Sequence, residues 1–350
     1  MPAALLDKME LFARLAEGRV TRVTVVTPNR RLAQALASEF DRGQIAKGLK
    51  AWEAADILPL TASVERAYED ALYSDLAAEL PSLLTPDEEQ QLWEELIRAD
   101  RGHDLLAVPE TAALAREAWQ LAHAWALLPR LKRHSLDDDA QAFAGWSRRY
   151  VKRTHDGRLT DRARLPELVA GVLGHPSVKK PALLVAYGFD IFTPQQQALF
   201  DAHRAQGAEL RACGPRSVRS NALRIACADA RDEIRQAARW ARARLEENGA
   251  ARIAVVVPDL GKWKNAIRRV FAQTMLPGGA THTLPFNISL GDPLGAWPLA
   301  AHALLVLELA GREIAFERAS LLIRSPFLAA GDAESQARAE SAKIECETEV

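Results

Sequence analysis

The stretch Arg22-Val23-Thr24-Val25-Val26-Thr27-Pro28-Asn29-Arg30-Arg31-Leu32-Ala33 decides how this chain folds. Its first six residues, RVTVVT, are a β-branched run whose stiff side chains suit a strand. From Asn29 the period changes, and Leu32, Leu36 and Phe40 recur at helical spacing. A strand that turns at once into a helix is the opening of an α/β unit. Before it, residues 5–16 are amphipathic, so the chain starts as helix, strand, helix. After it, Ile57-Leu58-Pro59-Leu60 reads as a second short strand, with another helix from Thr61.

Residues 61–175 then read as entirely helical. Thr85-Pro86-Asp87-Glu88 supplies an N-cap, proline at N1 and a glutamate at N3, the sequence of a capping box. Behind it Leu92, Trp93 and Leu96 share one side. Residues 109–128 repeat the pattern with Leu114, Ala118, Leu121 and Trp125, so Trp93, Trp119 and Trp125 are expected as core anchors.

The style changes at Pro181. LLVAY (residues 183–187) is a buried-strand run, Thr193-Pro194 opens a helix, and residues 209–212 and 223–227 are further strand candidates. A long helix spans residues 230–247 and stops at Asn248-Gly249. IAVVV (residues 253–257) carries the strongest strand signal in the chain, and a helix over 259–271 follows. Alternating strands and helices predict an α/β fold with a parallel sheet. The expected organisation is a first α/β part (1–60), a helical insertion (61–178), a return to the first part (179–215), a second α/β unit (216–330) and a tail (331–350). The runs at Val25, Val185 and Val255 are all expected as interior parallel strands.

Bulk composition narrows the function. The 350 residues are 48% hydrophobic and 26% charged, with net charge −1, so no global basic field draws nucleic acid and any such contact must come from a local patch. Cys213, Cys227 and Cys346 are far apart and odd in number, which suits a reducing cytoplasm and excludes a disulfide framework. Residues 296–310, the most apolar stretch, contain His302 and Glu308 and are too short and polar to span a bilayer. A cytoplasmic protein without membrane contact is expected.

Several chemistries have no matching residues. The segment nearest a P-loop, Gly43 to Gly48, is followed by Leu49 and Lys50 and preceded by a helix. None of the ten lysines has an acidic residue two positions before it, so a metal-dependent nuclease motif of the PD-(D/E)xK kind is missing. The histidines lack the spacing of a zinc site, and Asp137-Asp138-Asp139 reads as a helix start favoured by the dipole. No catalytic residue, metal or cofactor is expected.

Six segments in order resemble one family: Val25 to Ala33; Ile57 to Arg66; Tyr187-Gly188-Phe189-Asp190-Ile191-Phe192-Thr193-Pro194-Gln195-Gln196-Gln197; Asp229 to Ile234 leading to Ile253 to Asp259; Phe286 to Gly291; and Arg324 to Leu328. Together they resemble the N-terminal part of AddB-type nuclease/inactivated-helicase subunits of bacterial double-strand-break repair. The resemblance implies RecA-like lobes of the superfamily 1 helicase type, similar to UvrD and RecB, with a helical insertion. It implies DNA contact at Thr27, Asn29, Arg30 and Arg31. It also implies degenerate nucleotide-site positions at Asp190, Gln195, Gln196 and Asp259, because Ile191 breaks the acidic pair and Pro258-Asp259 stand where an arginine would reach the nucleotide.

In the family the nuclease domain and its iron–sulfur cysteines lie beyond the region matched. Residues 331–350 are polar, match nothing in the family and are expected to be disordered, in a truncated or frame-altered chain. The expected function is therefore a non-catalytic, DNA-binding helicase-like scaffold. Its partners would be single-stranded or duplex-end DNA and a helicase or nuclease subunit. Two other readings stay open: a protein scaffold that docks a motor subunit without touching DNA, and an active ATPase with a divergent P-loop.

Overall fold

Val23, Val25, Val26 and Thr27 are all buried, so the β-branched run is covered on both faces, as interior parallel strands are. The computed structural model describes residues 4–101, 107–131, 137–214, 222–278, 284–311 and 313–328. The expected disorder of the tail and Cys346 lie outside these. The chain divides into two units, Met1–Arg219 and Ser220–Val350.

The first unit begins with β1 (Ala4–Leu5), α1 (Lys8–Ala16), β2 (Val23–Thr27), α2 (Arg30–Ala46), β3 (Ile57–Pro59) and α3 (Leu60–Leu72). Next come β4 (Ser82–Leu83), α4 (Pro86–Arg101), α5 (Val108–Ala124), α6 (Leu128–Leu131), α7 (Asp138–Asp156), β5 (Leu159–Thr160) and α8 (Leu165–Val172). The unit closes with β6 (Leu183–Tyr187), α9 (Pro194–Ala205) and β7 (Glu209–Cys213). The main sheet has the order β1-β7-β6-β2-β3, every pair parallel, with Val25 opposite Ile57 on one side and Val185 on the other.

Alternation along the strands divides two cores. Val23, Val25, Leu183, Val185 and Tyr187 face α1 and α2, meeting Leu11, Leu15, Leu36 and Phe40. Val26, Leu184, Ala186 and Leu210 face α3, α8 and α9, meeting Leu60, Tyr68, Leu165, Leu199 and Phe200. Each such side chain contributes about 1.5–3 kcal/mol by leaving water. The protein is thus α/β, with helices on both faces of a parallel sheet.

The segment between β3 and β6 is not wholly helical. β4 and β5 form a two-stranded parallel pair, Ser82 opposite Leu159. Its helices enclose their own core of Trp93, Ile97, Trp119, Trp146 and Tyr150. The Thr85 capping box forms: the Thr85 amide donates to Glu88 Oε2 at 2.8 Å, and the Glu88 amide donates to Thr85 Oγ1 at 3.3 Å.

The expected face of α5 is corrected. Leu114 and Leu121 are exposed and Trp125 is 43% exposed, while Ala112, Ala115, Trp119 and Ala122 are buried. Two apolar stripes overlap on this helix. The one made of three alanines and a tryptophan lets the backbone approach α4 closely and fills the remaining space with one large ring.

In the second unit the described helices are α10 (Ala230–Glu247), α11 (Leu260–Met275), α12 (Pro298–Gly311) and α13 (Phe316–Ile323). Ala238 and Ala241 pack on Ile267 and Phe271, with Phe286 edge-on to Phe271 at 5.6 Å. The expected strands here are also corrected. Residues 253–257 and 223–227 form no ladder, and the described residues of this unit contain no strand. Ile253 and Val257 pack against the helix pair, but Val256 is 89% exposed. β-branching favours extended backbone, yet a strand needs a neighbour to pair its amides, and neither run has one. Among the described residues no helix is long and apolar enough to cross a membrane.

Candidate nucleic-acid interface

All five strands of the main sheet run the same way, so their carboxyl ends share one edge. β2 leads through α2 to β3 on one side of the sheet, and β6 leads through α9 to β7 on the other. With right-handed crossovers this sends α2 and α9 to opposite faces, the arrangement that in open α/β sheets forms a crevice between the strand ends, here those of β2 and β6. Such a point, where the strand order reverses direction, is where open α/β sheets collect ligands.

The sequence brings two turns to this crevice. The first is Thr27-Pro28-Asn29-Arg30-Arg31. Thr27 is fully buried, and its hydroxyl donates to the Asn29 carbonyl at 2.8 Å. Asn29 is the N-cap of α2, its Oδ1 accepting the Leu32 amide at 2.9 Å. Both side chains therefore shape the turn from within, and Arg30 and Arg31 are the members exposed to solvent at the start of the helix. Only Pro28 and Asn29 separate strand from helix.

The second turn is Gly188 to Thr193. Gly188 has φ +71 and follows β6 directly, and a methyl group on it would stand 2.6 Å from Leu32 Cδ2. That approach sets the second turn against the start of α2, and the positive φ favours glycine there. Phe189 and Phe192 stack at 5.1 Å and both meet Phe200 edge-on, which pins the turn to the core below. Asp190 and Ile191 are left exposed at the tip.

The remaining sequence-predicted positions fall elsewhere. Gln196 completes a capping box with Thr193. Gln195 donates to the Ala163 carbonyl at 2.6 Å and to Glu167 at 2.8 Å, tying α9 to α8. Asp259 stands at the N-cap of α11 in the second unit and makes no side-chain cap. The turn residues Thr27, Asn29, Arg30 and Arg31 thus share a sheet edge with the turn that carries Asp190, and the two glutamines serve as structural ties. Among the described residues no group of three or more histidine, cysteine or carboxylate side chains is placed to hold a metal ion.

One cluster escaped the sequence altogether. Asp161, wholly buried in the helical segment, accepts from Arg164 Nε at 2.7 Å and Trp119 Nε1 at 3.3 Å. Nearby, burial and the Asp161 charge raise the Glu89 carboxyl to about 7, although Arg116, Arg162 and Arg164 oppose the shift. Burial likewise holds the Tyr150 hydroxyl well above its ordinary value. Asp161 and Glu89 are 72 positions apart in the sequence, so no local motif announces them. Compared with protein-family models and with curated proteins, the chain gives no significant match to either.

Proposed function

We propose that this chain is a non-catalytic, helicase-like region of a bacterial double-strand-break repair nuclease of the AddB type. In this reading the parallel-sheet unit is a RecA-like lobe with a helical insertion, and its β2–α2 turn holds single-stranded or duplex-end DNA. The observation that carries the reading is the pair Arg30 and Arg31, exposed in the first turn of α2 at the ligand-collecting edge of the sheet. Cations there oppose the helix dipole, and an anion in the crevice relieves that conflict. A helix N-terminus offers amides to a phosphate, and two guanidinium forks add charge-assisted bonds.

The shape of the turn argues against ATP chemistry. A phosphate cradle wraps several backbone amides round the anion. Here two residues join strand to helix, and the Asn29 side chain already takes the Leu32 amide. A second reading, a scaffold that docks a motor subunit, has one observation in its favour: the exposed stripe Leu114, Leu121 and Trp125 along α5.

Anisotropy of a labelled oligodeoxythymidine across a salt series separates the two. The full chain is expected to bind weakly and less well as salt rises. Arg30→Ala with Arg31→Ala is expected to weaken binding and flatten the log–log salt slope by about 0.7 for each phosphate no longer neutralised. Unchanged affinity and slope in the double variant would remove the DNA contact from this turn, and no binding by the parent chain would favour the scaffold.

A further inference from the structure

A second basic surface lies in the other unit. Residues 222–278 carry eleven lysines and arginines against six aspartates and glutamates, a net +5 in a chain whose whole sequence nets −1. α10 gathers this charge on one side. At 3.6 residues per turn, Arg231, Arg235, Arg239 and Arg242 fall within about a quarter of the helix circumference, beside the face that buries Ala238 and Ala241.

Their partners are unequal. Arg242 is held by Glu246 at 2.7 Å and by the Thr274 carbonyl at 2.9 Å. Among the described residues Arg235 has Asp232, at 3.9 Å. Among the described residues no carboxylate lies within ion-pair distance of Arg231 or Arg239, and both are exposed. Like charges four residues apart destabilise a helix, so three in succession conflict with the local rule unless a row of anions lies along them. The spacing suits such a row, because successive arginines rise about 6 Å along the axis, a step close to that of phosphates on an extended single strand. Trp240 is 49% exposed but lies about 100° round the helix from Arg239, off the arginine face.

We propose that the arginine face of α10 is a contact surface for single-stranded nucleic acid, with Arg231, Arg235 and Arg239 on successive phosphates. It extends the DNA-binding reading given above but stands on different residues in the other unit, so each contact can fail alone.

The test uses the full chain and labelled oligodeoxythymidine, with circular dichroism to check that each variant is folded. Arg231→Ala/Arg235→Ala/Arg239→Ala is expected to weaken binding by about ten-fold or more at low salt and to reduce the salt slope by about 2. Trp240→Ala, off the arginine face, is expected to leave both affinity and slope nearly unchanged. Polyglutamate of matched length is expected to compete poorly. Loss of affinity in the Arg30/Arg31 double variant but not in the triple variant would overturn the α10 surface alone. The converse would uphold it while removing the turn. Absence of binding by the parent chain would overturn both, and equal competition by polyglutamate would reassign the surface to an acidic protein.

Discussion

Arg30 and Arg31 illustrate how single residues depart from the rule their position sets. The first turn of a helix favours carboxylates, as Asp138 and Asp139 behind the Asp137 cap of α7 do. α2 begins instead with two arginines, and Asn29 supplies the cap. A second departure is Glu89, 4% exposed in a layer of aromatic rings, with Asp161 as its neighbour and Arg116, Arg162 and Arg164 around it. Its carboxyl titrates at about 7 in the folded chain against an ordinary 4.5. Between those values the folded state holds a proton that the unfolded state releases, so rising pH favours unfolding. The contribution is complete below about pH 4.5, declines up to about pH 7 and is absent above it, a change of about 3 kcal/mol. Glu89→Gln keeps the shape and cannot ionise. Urea denaturation at several pH values is expected to show the parent losing stability relative to this variant as pH rises from about 4.5 to 7. Parallel pH profiles for the two proteins would refute the assignment.

At the scale of elements, the runs that found partners were legible in the sequence and the rest were not. The strands at Val25 and Val185 were readable because apolar side chains on both faces require a doubly covered sheet, and β6 lies beside β2 to provide it. IAVVV has the same composition and, among the described residues, no strand beside it, so propensity alone misread it; strand formation is a property of the pair. The bounds of α10 and the Thr85 capping box were legible because caps and helix stops are local chemistry. The orientation of α5 was not, since periodicity identifies two apolar stripes without saying which one meets a neighbour. Of the candidate site, the β2–α2 turn could be read from its strand-then-helix sequence. The approach of Gly188 to Leu32 depends on sheet order and could not. The corrected α5 orientation makes its own prediction. Trp119→Ala is expected to cost about 3–5 kcal/mol, because it empties a packed site against Tyr150. Trp125→Ala is expected to cost well under half as much, its ring being largely at the surface. Equal losses in chemical denaturation would return the helix to the orientation first expected.

For the whole molecule, the first unit carries a parallel sheet whose strands all end on one edge, and only two residues join β2 to α2 there. On the proposed function, that edge holds nucleic acid and the short turn leaves nucleotide without a cradle. The α10 surface adds a separate basic face in the second unit. Photocrosslinking tests this account most directly: a single strand substituted with halogenated pyrimidine is irradiated on the full chain and the modified peptides are identified. Adducts are predicted on the β2–α2 turn around Arg30 and on the facing turn from Gly188 to Phe192. Efficient crosslinking confined to segments away from both turns would contradict it.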